Sequence, residues 1–130
     1  MRKKILVVDD SKANIDILID ILDEYDVLVA LNGKKAIEIV NKKDIDLILL
    51  DIVMPELGGY QTCKIIKQNP NTKHIPIIFI TAKTDRDSIA KAYDVGGIDY
   101  IKKPFYSIEV LSRIHTQLSL SDYTHKLEDL

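Results

Sequence analysis

Four places in the chain put chemistry-bearing side chains directly after a short apolar run. Ile5-Leu6-Val7-Val8 leads into Asp9-Asp10, and Leu47-Ile48-Leu49-Leu50 into Asp51. Ile77-Ile78-Phe79-Ile80 leads into Thr81-Ala82, and Asp99-Tyr100-Ile101 into Lys102-Lys103-Pro104. If the four runs lie side by side and parallel, all of these residues fall on one edge. Three carboxylates there repel one another. A pair about 5 Å apart at an effective dielectric near 20 costs roughly 3 kcal/mol. A retained proton or a bound cation offsets that cost. Oxygen donors without histidine or cysteine favour a hard cation, Mg²⁺ ahead of Zn²⁺. Mg²⁺ keeps waters and bridges protein carboxylates to phosphate, while a lysine and a hydroxyl can hold the remaining phosphate oxygens. A single aspartate after a strand is more often a helix cap than a ligand. The conjunction at four strand ends is what singles out this edge.

The elements that would position these residues alternate. Short apolar runs read as buried strands at Ile5 to Val8, Val27 to Val29, Leu47 to Leu50, Ile77 to Ile80 and Asp99 to Ile101. Between them lie segments with one apolar helical face. The first runs from Ile15 to Glu24, with Ile15, Leu18, Ile21 and Leu22 inward. A second opens at Asn32-Gly33, with Asn32 as N-cap and Ala36, Ile37 and Val40 inward. A third spans Tyr60 to Gln68 and a fourth Asp85 to Val95. The fifth is capped by Ser107 and carries Ile108, Leu111, Ile114 and Leu118 on one side. Met54-Pro55-Glu56-Leu57-Gly58-Gly59 is a loop. Five apolar strands alternating with helices predict an α/β fold, a parallel sheet covered on both faces. The simplest arrangement is a flavodoxin-like doubly wound (βα)5 sheet of order 2-1-3-4-5, which places ligands past the carboxyl ends of strands one and three.

The motifs Val7-Val8-Asp9-Asp10-Ser11, Leu49-Leu50-Asp51-Ile52-Val53-Met54-Pro55, Thr81-Ala82 and Asp99-Tyr100-Ile101-Lys102-Lys103-Pro104-Phe105 resemble the receiver domain of two-component response regulators. The likeness covers roughly Lys3 to Leu118. It implies a signalling switch that takes a phosphoryl group on Asp51, as 4-aspartylphosphate, from a histidine kinase or phosphotransfer protein. By the same resemblance Asp10 and Asp51 bind Mg²⁺ directly, with the Val53 backbone carbonyl as third ligand and Asp9 acting through water. Thr81 is then the hydroxyl that swings to the phosphoryl group, and Tyr100 the aromatic that turns inward after it. Lys103 pairs with a phosphoryl oxygen across a cis Lys103-Pro104 bond. Only one of two adjacent strand lysines can face the site, and the Lys-Pro match assigns that place to Lys103 over Lys102. The resemblance also implies output through the surface of helix four, strand five and helix five. That face, or the tail, could make a dimer, and a downstream output domain or effector would be the partner. Gly58 and Gly97 depart from the family, which has a polar residue and an alanine there; both add backbone freedom.

Other readings of the same residues are weaker. A haloacid-dehalogenase-like phosphohydrolase would also form an aspartyl-phosphate, but needs a second aspartate two residues on, where Val53 stands. A nucleotide or flavin binder wants a glycine- or hydroxyl-rich loop after strand one. The chain has 130 residues, 18 basic and 20 acidic, a net charge of -2, and 46% hydrophobic residues. That suits one domain with a sizeable core and gives no push toward nucleic acid or membrane. The apolar runs are too short to span a bilayer or serve as a signal peptide, and a lone cysteine suits a reducing, cytoplasmic setting. Cys63 reads as core, and His74, His115 and His125 as scattered surface residues. Residues 1–120 form the receiver unit. Residues 121–130 are a tail or the start of a linker helix, since Leu120, Tyr123, Leu127 and Leu130 begin a new apolar rhythm.

Overall fold

The computed structural model describes residues 2–128. Strands β1 (Lys4–Val8), β2 (Asp26–Ala30), β3 (Leu47–Asp51), β4 (Ile77–Thr81) and β5 (Asp99–Lys102) alternate with five helices. These are α1 (Lys12–Ile21), α2 (Gly33–Lys42), α3 (Gly59–Gln68), α4 (Arg86–Asp94) and α5 (Ser107–Glu128). The strands pair parallel in the order β2-β1-β3-β4-β5, the expected doubly wound arrangement. Strands β3 and β4 are buried along their whole length, which is why they read as unbroken apolar runs rather than alternating ones.

The sheet separates two cores. Leu6, Val8, Ile48, Leu50 and Phe79 face one side, packed with Ala36 and Val40 of α2, Cys63 and Ile66 of α3 and Ala92 of α4. Ile5, Val7, Leu47, Leu49, Ile78 and Ile80 face the other, against Ile15 and Leu18 of α1 and Val110, Ile114 and Leu118 of α5. Each buried aliphatic side chain contributes about 1.5–3 kcal/mol. The register sets the functional edge: Val8 lies beside Leu50, Asp51 beside Ile80 and Thr81 beside Lys102. Cys63 is wholly buried; its thiol reaches the Val95 carbonyl at 3.4 Å, and burial pushes its pKa up to about 11.

Helix starts follow the capping residues. The side-chain oxygens of Ser11, Asn32 and Asp85 accept from the amides of Asn14, Lys35 and Ser88, each cap contributing about 1 kcal/mol. Ser11 therefore starts α1 three residues before Ile15, where the apolar rhythm alone placed it.

Helix α5 departs from expectation in two ways. Ser107 is its first residue rather than its cap. Its buried residues are Val110, Ile114, Gln117 and Leu118, while Ile108 is 82% exposed and Leu111 37%. The inward face is the i, i+4, i+7, i+8 set, and Ile108 lies a third of a turn off it. The helix runs unbroken to Glu128, with Leu120, Tyr123 and Leu127 exposed. Leu130, the last residue of the expected stripe, lies outside the described residues.

Gly97 needs no special freedom of rotation: a Cβ there would stand 2.5 Å from Phe79 Cε2 and 2.8 Å from the Ala92 carbonyl oxygen. The family's alanine is excluded by the phenylalanine ring beneath it. The histidines are not all scattered either, since the rings of His74 and His125 meet at 6.2 Å.

Candidate functional site

Strands β1 and β3 deliver Asp9, Asp10 and Asp51 to the same edge, where each offers a carboxylate oxygen within 4.8 Å of the others. Asp9 and Asp51 are buried and Asp10 is exposed. Asp9 Oδ1 accepts from the Ser11 amide at 2.8 Å, and Oδ2 accepts from Asn14 Nδ2 at 3.4 Å. These bonds lock Asp9 in place. Asp51 Oδ1 accepts from the Val53 amide at 3.4 Å.

Lys103, carried past the end of β5, bridges the two buried carboxylates. Its Nζ stands 3.3 Å from Asp51 Oδ2 and 3.4 Å from Asp9 Oδ2. The Lys103-Pro104 peptide is cis, as expected. Lys102 is exposed, so the alternation of the strand separates the two lysines as argued from sequence.

Three carboxylates against one ammonium leave two negative charges in a largely buried cluster. Burial pushes the Asp51 carboxyl up to about 6; the Asp9 charge adds to this, and Lys103 and the Val53 amide pull it back. The donor set fits a hard divalent cation: it is all oxygen, clustered, and open to solvent on the Asp10 side, so bound waters can be kept.

Thr81 ends β4, buried, and its Oγ1 accepts from the Lys83 amide at 2.8 Å. The hydroxyl thus holds the loop between β4 and α4. Ala82 is exposed and leaves the approach to Asp51 free of bulk. Tyr100 on β5 is half-buried and meets Tyr93 of α4 edge-on, with ring centroids 6.4 Å apart.

Two supports of the site were not singled out from sequence. Asn14 holds Asp9 from one turn into α1, a role that a polar residue at an intermediate helix position does not announce. Gly59 lets α3 approach the end of β3, since a Cβ there would stand 2.1 Å from the Asp51 carbonyl oxygen. The Gly-Gly pair after Met54-Pro55 signalled a loop, not this contact.

Comparison with known proteins decides the family. The model of the response regulator receiver domain matches residues 5–115. The chain belongs to that family. As a receiver domain it is a phosphorylation-activated signalling switch of two-component systems, and its acidic cluster is the pocket where receiver domains bind Mg²⁺. A probable cyclic di-GMP phosphodiesterase of Vibrio cholerae is 44% identical over 115 residues, which are 88% of this chain and 26% of that protein. The response regulator PleD of Caulobacter vibrioides is 34% identical, over 89% of this chain and again 26% of its own length. The receiver domain here therefore spans about a quarter of these two relatives. Among solved structures, a putative response regulator from Chloroflexus aurantiacus superposes with a TM-score of 0.88 at 30% identity, covering 92% of this chain and 99% of that one.

Proposed function

We propose that Asp51 is the phosphoryl acceptor of this receiver and that Asp9, Asp10, Thr81 and Lys103 serve that one carboxylate. The observation that carries the reading is the placing of Asp51 Oδ2 3.3 Å from Lys103 Nζ within a cluster of three carboxylates at the strand ends. In the transfer, an Asp51 oxygen bonds to phosphorus as the bond from phosphorus to a phosphohistidine nitrogen breaks, and the imidazole leaves with that electron pair. Lys103 neutralises charge on a phosphoryl oxygen at a site where burial strengthens the interaction. Asp10 and Asp51, with the Val53 carbonyl, would hold Mg²⁺, and Asp9 would act through water. Bound there, Mg²⁺ supplies charge neutralisation for the incoming phosphoryl group.

Two features support a switch over a turning-over enzyme. Val53 stands where a hydrolase would place its acid/base, and its side chain is 57% exposed and cannot shuttle a proton. The Thr81 hydroxyl is bound to Lys83, so its move to a phosphoryl oxygen would release the β4–α4 loop. That release is the differential interaction a two-state change needs. Output would pass through α4, β5 and α5 to a partner or output domain, with a sensor histidine kinase or phosphotransfer protein upstream. Residues 121–130 would begin a linker helix. In support, α5 carries Leu120, Tyr123 and Leu127 outward, and the two relatives are more than three times as long as this chain.

Incubation of the protein with Mg²⁺ and a small acyl phosphate tests the assignment by intact mass. Wild type should gain one phosphoryl group, removable by hydroxylamine, and Asp51→Asn none. Equal labelling of the variant would sink it.

A further inference from the structure

Two imidazoles meet at the end of the sheet opposite the acidic cluster. His74 lies between α3 and β4 and His125 in the last turns of α5, and both are exposed. Their ring centroids are 6.2 Å apart and the planes stand at 78°. The juxtaposition is held from outside the pair. One turn back on α5, Asp122 takes Lys3 Nζ at 2.8 Å, which ties the helix to the base of β1. His74 is carried on a segment pinned by Lys67, whose Nζ donates to the carbonyls of Lys73 and Ile75. Oxygen donors flank the rings on both sides. One cleft, of about 140 Å³, is lined by both histidines with Asp46, Ser121 and Asp122. Another, of about 430 Å³, is lined by both with Thr124 and Glu128.

We propose that His74 and His125 form a bis-imidazole site for a borderline d-block cation such as Zn²⁺ or Ni²⁺. Metal–nitrogen bonds of about 2.0–2.1 Å put two ring centroids roughly 5–6 Å apart when one ion joins them, close to the separation found. Imidazole suits these ions and not Mg²⁺, which wants oxygen. The imidazole pair therefore discriminates against Mg²⁺, which the acidic cluster takes. Among the described residues, Asp9, Asp10 and Asp51 are the group of three or more His, Cys, Asp or Glu side chains whose ligand atoms converge, so no carboxylate joins the imidazole pair as a third ligand. The imidazole site takes two protein ligands and fills its other positions with water. Binding clamps the far end of α5 to the segment entering β4. It would thereby set how rigidly the helix leaves the domain. The site stands apart from the phosphoacceptor reading and does not depend on it.

Titration of Zn²⁺ into the full chain at saturating Mg²⁺, which occupies the acidic cluster, tests it. The melting temperature should rise by about 2–5 °C, and the ring-proton signals of His74 and His125 should move together to one saturation point. His74→Asn and His125→Asn should each abolish both effects. His115→Asn, an exposed histidine of the same helix, should change neither. The proposal is overturned if the rise survives in either of the first two variants, or if the two rings titrate independently. It is equally overturned if sedimentation shows that Zn²⁺ joins two copies of the chain instead.

Discussion

At the scale of single residues, the state of Asp51 couples the site to stability. In an unfolded chain this carboxyl titrates near 3.9; in the fold it is pushed up to about 6. Between those values the folded protein holds a proton that the unfolded chain has released, so stability falls as pH rises through the window. Above it, an ionised Asp51 is a standing cost of about 1–3 kcal/mol, one pH unit being worth 1.36 kcal/mol. Asp51→Asn should therefore be more stable than wild type by about that amount at pH 7.5 without metal. The gain should shrink below pH 6 and vanish near pH 4. Urea melts across that range check it, and a gain independent of pH would remove the electrostatic explanation. Added Mg²⁺ should narrow the gap by stabilising wild type more than the variant, because the variant lacks the carboxylate proposed as a ligand.

At the scale of elements, two glycines make opposite predictions. Gly58 precedes α3 without a side-chain cap, and a Cβ there would meet nothing closer than the Ile52 carbonyl oxygen at 3.7 Å. Gly58→Ser should raise stability by a few tenths to about 1 kcal/mol, by capping α3 and restricting the unfolded chain. Gly97→Ala should lower it by about 1–3 kcal/mol, because the methyl group meets the Phe79 ring. If the two substitutions shift the denaturant midpoint in the same direction, one of the packing arguments fails. These positions also mark where sequence reasoning stops. The five strands were legible because apolar runs such as Leu47 to Leu50 are buried on both faces. The acidic edge was legible because parallel strands put their carboxyl ends together. The steric ground for Gly97 lies in Phe79, a residue of β4 far from it in sequence. The inward face of α5 was misread because Ile108 and Leu111 are apolar yet exposed, and periodicity counts them as core.

At the scale of the whole molecule, the proposed path from site to surface would run through one hydroxyl. Thr81 Oγ1 receives the Lys83 amide, that loop feeds α4, and Tyr93 of α4 rests edge-on against Tyr100 of β5. On the proposed reading, a phosphoryl group on Asp51 would add about -1.5 to -2 charges beside Lys103 and would compete for the Thr81 hydroxyl. Thr81→Ala should keep accepting phosphoryl groups at Asp51, since it lies outside the carboxylate cluster, yet lose the chemical-shift changes at Tyr93 and Tyr100. Normal shifts at both rings in the phosphorylated variant would show that the signal travels another way. The route was only partly readable in advance: Thr81 and Tyr100 stand in recognisable motifs, but the contact through Tyr93 depends on how α4 packs.

The buried thiol on α3 gives the protein a timer of its own. Cys63 is the chain's single cysteine, it is fully covered, and its pKa near 11 leaves almost no thiolate at neutral pH. An alkylating reagent can reach it only when the packing of α3 against the sheet and against Val95 opens, and the first residue of that helix lies against the backbone of Asp51. The rate at which wild-type protein is alkylated therefore reports how often this packing beside Asp51 opens, with no engineered label.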